Sequence, residues 1–197
     1  MFSPSPATLY AAGTTSSGDP NNGTAALDIF DVSNPVNVQG VAQLLVPGAT
    51  VLQSLAVSGN ELLAVGNTRG FLSQGNSLGG NVFDFPYTGY LTLTTFDITN
   101  PRGPVMQGNS VALLQPNGCI ATALGGGFYA LSCGGADLLA TGAGLNNTLV
   151  VVDARDPKAP NAFTYASVQG LGGLAVSNGY LYAATTTGAN IYKIQLP

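Results

Sequence analysis

Three stretches of the chain are spelled almost alike: LDIFDVSNP at 27–35, LTTFDITNP at 93–101 and LVVVDARDP at 149–157. Each runs from apolar and β-branched residues into an aspartate and closes on a proline. This is the pattern of a strand with an enforced end. Asp and Ser side chains bond to the backbone that follows them and compete with further pairing. The residue before proline is pushed to extended geometry, and proline cannot donate to a ladder. A chain that needs the same stop three times is built from units of one kind.

A second element recurs between the stops. Residues 55–66 read LAVSGNELLAVG, residues 174–185 read LAVSNGYLYAAT, and 121–132 reads ATALGGGFYALS, with its glycines in register. Asn178-Gly179 and Gly59-Asn60 each fit a two-residue hairpin turn, where positive φ is needed. The hairpin starts 24 residues after Asp31, 24 after Asp97 and 21 after Asp153. Two motifs in fixed order at near-fixed spacing define the unit better than either alone.

Helix signals are weak throughout. Apolar residues come in short runs bounded by Gly, Asn or Pro, which reads as strand and turn. Strands are expected at 7–12, 26–32 and 38–45, then 52–58, 61–66, 90–97 and 104–113. The third set is 119–124, 127–133, 148–153 and 162–168, and the last 172–177, 180–186 and 189–195. The fold class is therefore all-β: a partial β-propeller of about 3.5 four-stranded antiparallel blades. Its single repeat domain divides into an incomplete blade at 1–46, blades at 52–113 and 119–168, and an incomplete blade at 172–197. Such a chain is expected to be either a piece of a longer propeller or a half-ring completed by symmetric association through its open ends.

The LVVVD and LDIFD strands, the SNP and TNP stops and the LAVSGN hairpin resemble the LVIVD-repeat family of bacterial and archaeal surface or secreted proteins. The resemblance spans about residues 7–195. It implies a propeller-like fold and an extracytoplasmic location, and it implies no catalytic residues. The third stop departs from the pattern with ARDP, and the third hairpin is rich in glycine.

Composition narrows the partners. Charged residues make up 7% of the chain, against about 25% in an average domain. Apolar residues are 45% and the net charge is −4, so a core is affordable and disorder is not implied. The surface must be Thr, Ser, Asn, Gln and Gly, as is common on secreted β proteins. Five scattered cations make no phosphate-binding stripe, so nucleic acid is not expected as a partner. The uncharged run from Gly103 to Ala136 is broken by Pro104, Pro116 and a glycine turn, so no membrane insertion is expected. Met1-Phe2-Ser3-Pro4 has neither the basic start nor the apolar core of a signal peptide.

In an up-and-down blade the stereotyped turns share one face, and the long connections 13–25, 67–89 and 134–147 share the other. Loops on a rigid scaffold are where recognition usually lives. The longest connection carries Arg69, Phe71, Asp84, Phe85 and Tyr87, the residue types of binding anchors. The plainer alternative is that Phe83 and Phe85 simply pin this long loop against the blade. The expected function is a non-enzymatic module presenting this face to a protein or glycan. The alternatives are a glycan-active enzyme using loop-face carboxylates such as Asp84 and Asp137, and a spacer with no ligand.

No cofactor or metal site is expected. The chain has no histidine, so neither a Ser-His-Asp site nor an imidazole metal site can form. Asp31, Asp97 and Asp153 read as turn formers, since a hard cation needs about six oxygens close together. Cys119 and Cys133 flank the glycine turn. A three-residue turn sets them opposite one another and makes a disulfide feasible. A two-residue turn sets Cys119 opposite Ser132, with the thiols on opposite sides. Bridged cysteines in an oxidising compartment and two buried thiols both remain open at this point.

Overall fold

The computed structural model describes residues 7–15, 24–68, 90–112, 116–135 and 146–196. They form fourteen strands in four antiparallel sheets, with no helix among them and no sheet closed on itself. The first sheet is β1 (Thr8–Thr15), β2 (Thr24–Asp31) and β3 (Gln39–Leu45). The second is β4 (Val51–Ser58), β5 (Glu61–Asn67), β6 (Leu91–Asp97) and β7 (Val105–Ala112). The third is β8 (Pro116–Gly125), β9 (Phe128–Gly135), β10 (Asn146–Asp153) and β11 (Asn161–Gln169). The fourth is β12 (Leu174–Ser177), β13 (Tyr180–Thr185) and β14 (Gly188–Lys193). Within each sheet the strands lie side by side in chain order. Every expected strand is present, its ends displaced by three residues or fewer.

The core lies between the sheets. Side chains alternate across a strand, and in the second sheet both sets are buried. Leu62, Ala64 and Phe96 pack with Ala25, Leu27 and Val46 of the first sheet. Leu63, Val65 and Leu93 pack with Tyr129, Leu131 and Val152 of the third. Ala130 and Leu149, on the far side of the third sheet, meet Leu181 and Ala183 of the fourth. This double burial explains why β5 reads as an unbroken apolar run from Leu62 to Val65, and it also buries Thr92, Thr94 and Thr95 of β6.

The hairpin turns differ in backbone detail. Asn178 and Gly179 are both at positive φ, 51° and 77°, as a type I′ turn requires. Gly59-Asn60 also turns in two residues but only Gly59 is at positive φ, the pattern of type II′. The third hairpin corrects the reading of the cysteines. Its turn is the two-residue Gly126-Gly127, like its sisters, yet Cys119 pairs with Cys133. The register is recovered by a bulge: Ala123 faces Tyr129 and Gly125 faces Phe128, so Leu124 is the extra residue. Gly125, at φ 96°, supplies the conformation that such a bulge needs. Neither turn length alone decides the pairing, because a bulge shifts register by one.

Candidate functional site

The stops organise one end of the molecule. Asp31 Oδ1 accepts a hydrogen bond from Ser33 N at 2.9 Å, Asp97 Oδ1 from Thr99 N at 2.8 Å, and Asp153 Oδ1 from Arg155 N at 3.1 Å. Three residues on, Asn34, Asn100 and Asp156 do the same for Val36, Arg102 and Lys158. Each of these three also closes a β-turn through its carbonyl, to Asn37, Gly103 and Ala159 at 3.0 Å. An Asx residue before Pro is the favoured start of such a turn. The ARDP variant therefore keeps the geometry, with Asp156 standing for Asn.

These contacts hold the aspartate carboxyls below the usual carboxylate range. The hydrogen bonds from Ser33 and Thr99 are the main cause for Asp31 and Asp97, and the Arg155 side chain for Asp153. Arg155 also lies over the Phe128 ring, 4.7 Å from its centroid. Each carboxylate is occupied by its own turn, and the described residues contain no group of three potential metal ligands.

The second and third stops are each lodged against the sheet before them. Tyr10 OH donates to the Pro101 carbonyl at 3.0 Å, and Arg102 pairs with Asp31. Thr95 Oγ1 donates to the Pro157 carbonyl and Ser110 Oγ to that of Pro160. The stops of neighbouring sheets thus gather at one end. The strand ends flanking the three long connections, Thr15 and Thr24, Asn67 and Leu91, and Gly135 and Asn146, lie at the other.

Arg69, Phe71, Asp84, Phe85 and Tyr87 lie outside the described residues, as does Asp137. The base of their connection is described and is tightly tied. Thr68 N donates to the Tyr90 carbonyl at 2.8 Å, and Tyr90 N donates to Thr68 Oγ1 at 2.9 Å. Thr50 N and Oγ1 both donate to the Asn67 carbonyl, at 2.9 and 3.1 Å. The structure bridges Cys119 and Cys133 by a disulfide. The bridge faces the second sheet within the core, beside Val65 and Leu91. The backbone N–H groups of Cys119 and Ala121 point from the sheet edge to Gln53 Oε1 and Ser54 Oγ of β4, at 3.0 and 2.9 Å.

The structure also reveals a surface that the repeat pattern alone did not single out. Ile194 N donates to the Gly179 carbonyl at 2.8 Å, as Val32 N does to Ala7, Ile98 N to Asn60 and Ala154 N to Gly127. Ile194 therefore holds the backbone position of Val32, Ile98 and Ala154, which places Lys193 at the aspartate position. On the face of the fourth sheet turned away from the third, Tyr180, Tyr182 and Ile191 stand in the open; Ile191 is 60% exposed. The sequence signal was the spacing of Lys193 to Pro197, which matches that of Asp31 to Pro35, hidden because a lysine stands in the place of the aspartate.

No protein-family model matches the chain, and no curated protein matches it.

Proposed function

We propose that the four sheets are consecutive blades of a β-propeller section of about 3.5 four-stranded blades, of the LVIVD-repeat kind. In this reading the chain is a non-enzymatic binding or structural module of a secreted or cell-surface protein. It presents one loop face to a protein or a glycan. The observation that carries the reading is the recurrent placement of the stops. Tyr10 to Pro101 and Thr95 to Pro157 lodge the second and third stops on the preceding sheets, as a regular fan of blades requires. The long connections then depart together from the opposite end, where a rigid scaffold displays loops. The Cys119–Cys133 bridge supports an oxidising compartment.

The test is to replace residues 69–89 by the Thr-Thr turn found between β13 and β14. Both proteins are then screened on arrays of immobilised glycans and of extracellular proteins. The expected result is an unchanged circular dichroism spectrum and at least tenfold weaker binding by the shortened protein. Equal binding by the two proteins, or no binding by the intact chain, sinks the reading.

A further inference from the structure

We propose that two copies of this chain dock head to tail, the β12–β14 sheet of each covering the β1–β3 sheet of the other. The proposal rests on the reading of the sheets as propeller blades. It begins from a set of three positions found once in every sheet. Leu62, Phe96 and Ile98 of the second sheet belong to the core shared with the first. Tyr129, Val152 and Ala154 of the third belong to the core shared with the second. Leu181, Tyr192 and Ile194 of the fourth pack on the third. The pairings Glu61↔Asp97, Phe128↔Asp153, Tyr180↔Lys193 and Thr8↔Asp31 align the sheets and assign the same positions in the first to Leu9, Phe30 and Val32. These three lie on the face that no sheet among the described residues covers, and Leu9 is 50% exposed.

The fourth sheet carries the complementary face. In the same alignment Tyr182 stands where Tyr10 stands in the first sheet and Leu63 in the second. Tyr10 uses its hydroxyl to reach the stop carbonyl of the next sheet, Pro101. Tyr182 is 36% exposed and is placed to make the same bond to Pro35 of the partner subunit. Ile191 holds the position of Thr95, which reaches Pro157. Both open faces therefore carry residues whose equivalents are the contacts between sheets inside the molecule.

The charges change together at this seam. Inside the chain, the fifth residue after the stop aspartate is Arg102 or Lys158, and the aspartates on the sheets before them are Asp31 and Asp97. Arg102 and Asp31 form an ion pair across the boundary. In the first sheet the cation is replaced by Val36, which is 94% exposed. In the fourth sheet the aspartate is replaced by Lys193. Docking brings Val36 against Lys193, whose aliphatic stem covers an apolar side chain while its ammonium stays in water. Two copies of four sheets make a ring of eight, within the range of closed propellers. Both heterologous contacts are then identical and the ring closes without growth.

The test is the solution mass of the intact chain, by size exclusion with light scattering at tens of micromolar. Twice 19.8 kDa is expected. Val36→Arg and Tyr182→Arg lie on opposite faces and should each give monomers with unchanged circular dichroism. If Tyr182→Arg loses that spectrum, Ile191→Lys on the same face takes its place. Mixing the two variants leaves one wild-type seam and should restore the dimer. A wild-type monomer, a mass that climbs with concentration, a variant that stays dimeric, or a mixture that stays monomeric overturns the proposal. Small-angle scattering separates the two readings. A monomer whose profile fits a fan of four stacked sheets rejects the dimer and keeps the propeller. A monomer that does not fit it rejects both.

Discussion

The hydroxyl of Tyr129, in the third sheet, donates to Glu61 Oε1 of the second at 2.8 Å. It is one of several polar bonds that cross from sheet to sheet. Tyr129 is wholly buried, and burial is the main reason its hydroxyl stays protonated far above the usual range. Burial also raises the Glu61 carboxyl, while the hydrogen bond from Tyr129 acts in the opposite direction. Tyr129→Phe leaves a partly buried carboxylate without its donor. We expect a loss of about 1–3 kcal/mol, read from urea unfolding at neutral pH. Glu61→Gln keeps an acceptor and removes the desolvated charge, so it should cost less than Tyr129→Phe. The reverse ranking would contradict this account.

The Cys119–Cys133 bridge closes a short segment, with a sequence separation of 14. A loop of this size is worth about 3 kcal/mol in the chain-entropy account. Replacing both cysteines by alanine, or reducing the protein, should lower stability by about 2–4 kcal/mol. Thiol titration of the unfolded, unreduced protein should find no free thiol. Two free thiols would disprove the bridge.

Gly108 faces the stop of the third sheet. A methyl group there would collide with the carbonyl oxygens of Pro157 and Lys158. Both are backbone atoms of a hydrogen-bonded turn and cannot swing away. Gly108→Ala should therefore destabilise by about 1–3 kcal/mol, the usual cost of overpacking. Gly40, in the first sheet, has open space around the same atom. Gly40→Ala should be nearly neutral, and thermal midpoints of the two variants compare them directly.

The stop aspartates make stability depend on pH. Asp31, Asp97 and Asp153 have lowered values in the folded state, so the unfolded chain binds more protons. Their contribution is present above the ordinary carboxylate value of about 3.9. It is lost as pH falls through the lowered values. Glu61, whose value is raised, acts in the opposite sense: its contribution is present below its ordinary value and fades as pH rises through the raised one. The thermal midpoint should fall as the pH is taken below about 4. Asp31→Asn, Asp97→Asn and Asp153→Asn combined keep the turn acceptors and should flatten that fall. A triple variant as acid-sensitive as the parent would exclude these groups as the cause.

The strands and stops were legible in the sequence because they are local. Asp31-Val32-Ser33-Asn34-Pro35 ends a strand through bonds to residues two positions away, and Asn178-Gly179 turns through its own φ angles. Such signals survive in a linear string, and fourteen strands followed from them. The tertiary structure decided everything that depends on register and stacking. The pairing of Cys119 with Cys133 hangs on a bulge at Leu124, a one-residue shift that composition does not announce. Tyr129 meets Glu61, and Tyr10 meets Pro101, only because one sheet lies on the next. Lys193 took its meaning from the backbone bond of Ile194 to Gly179, which puts it where the other sheets carry an aspartate. Local chemistry is written residue by residue, whereas packing is a property of residues far apart in the chain, and only the folded molecule brings them together.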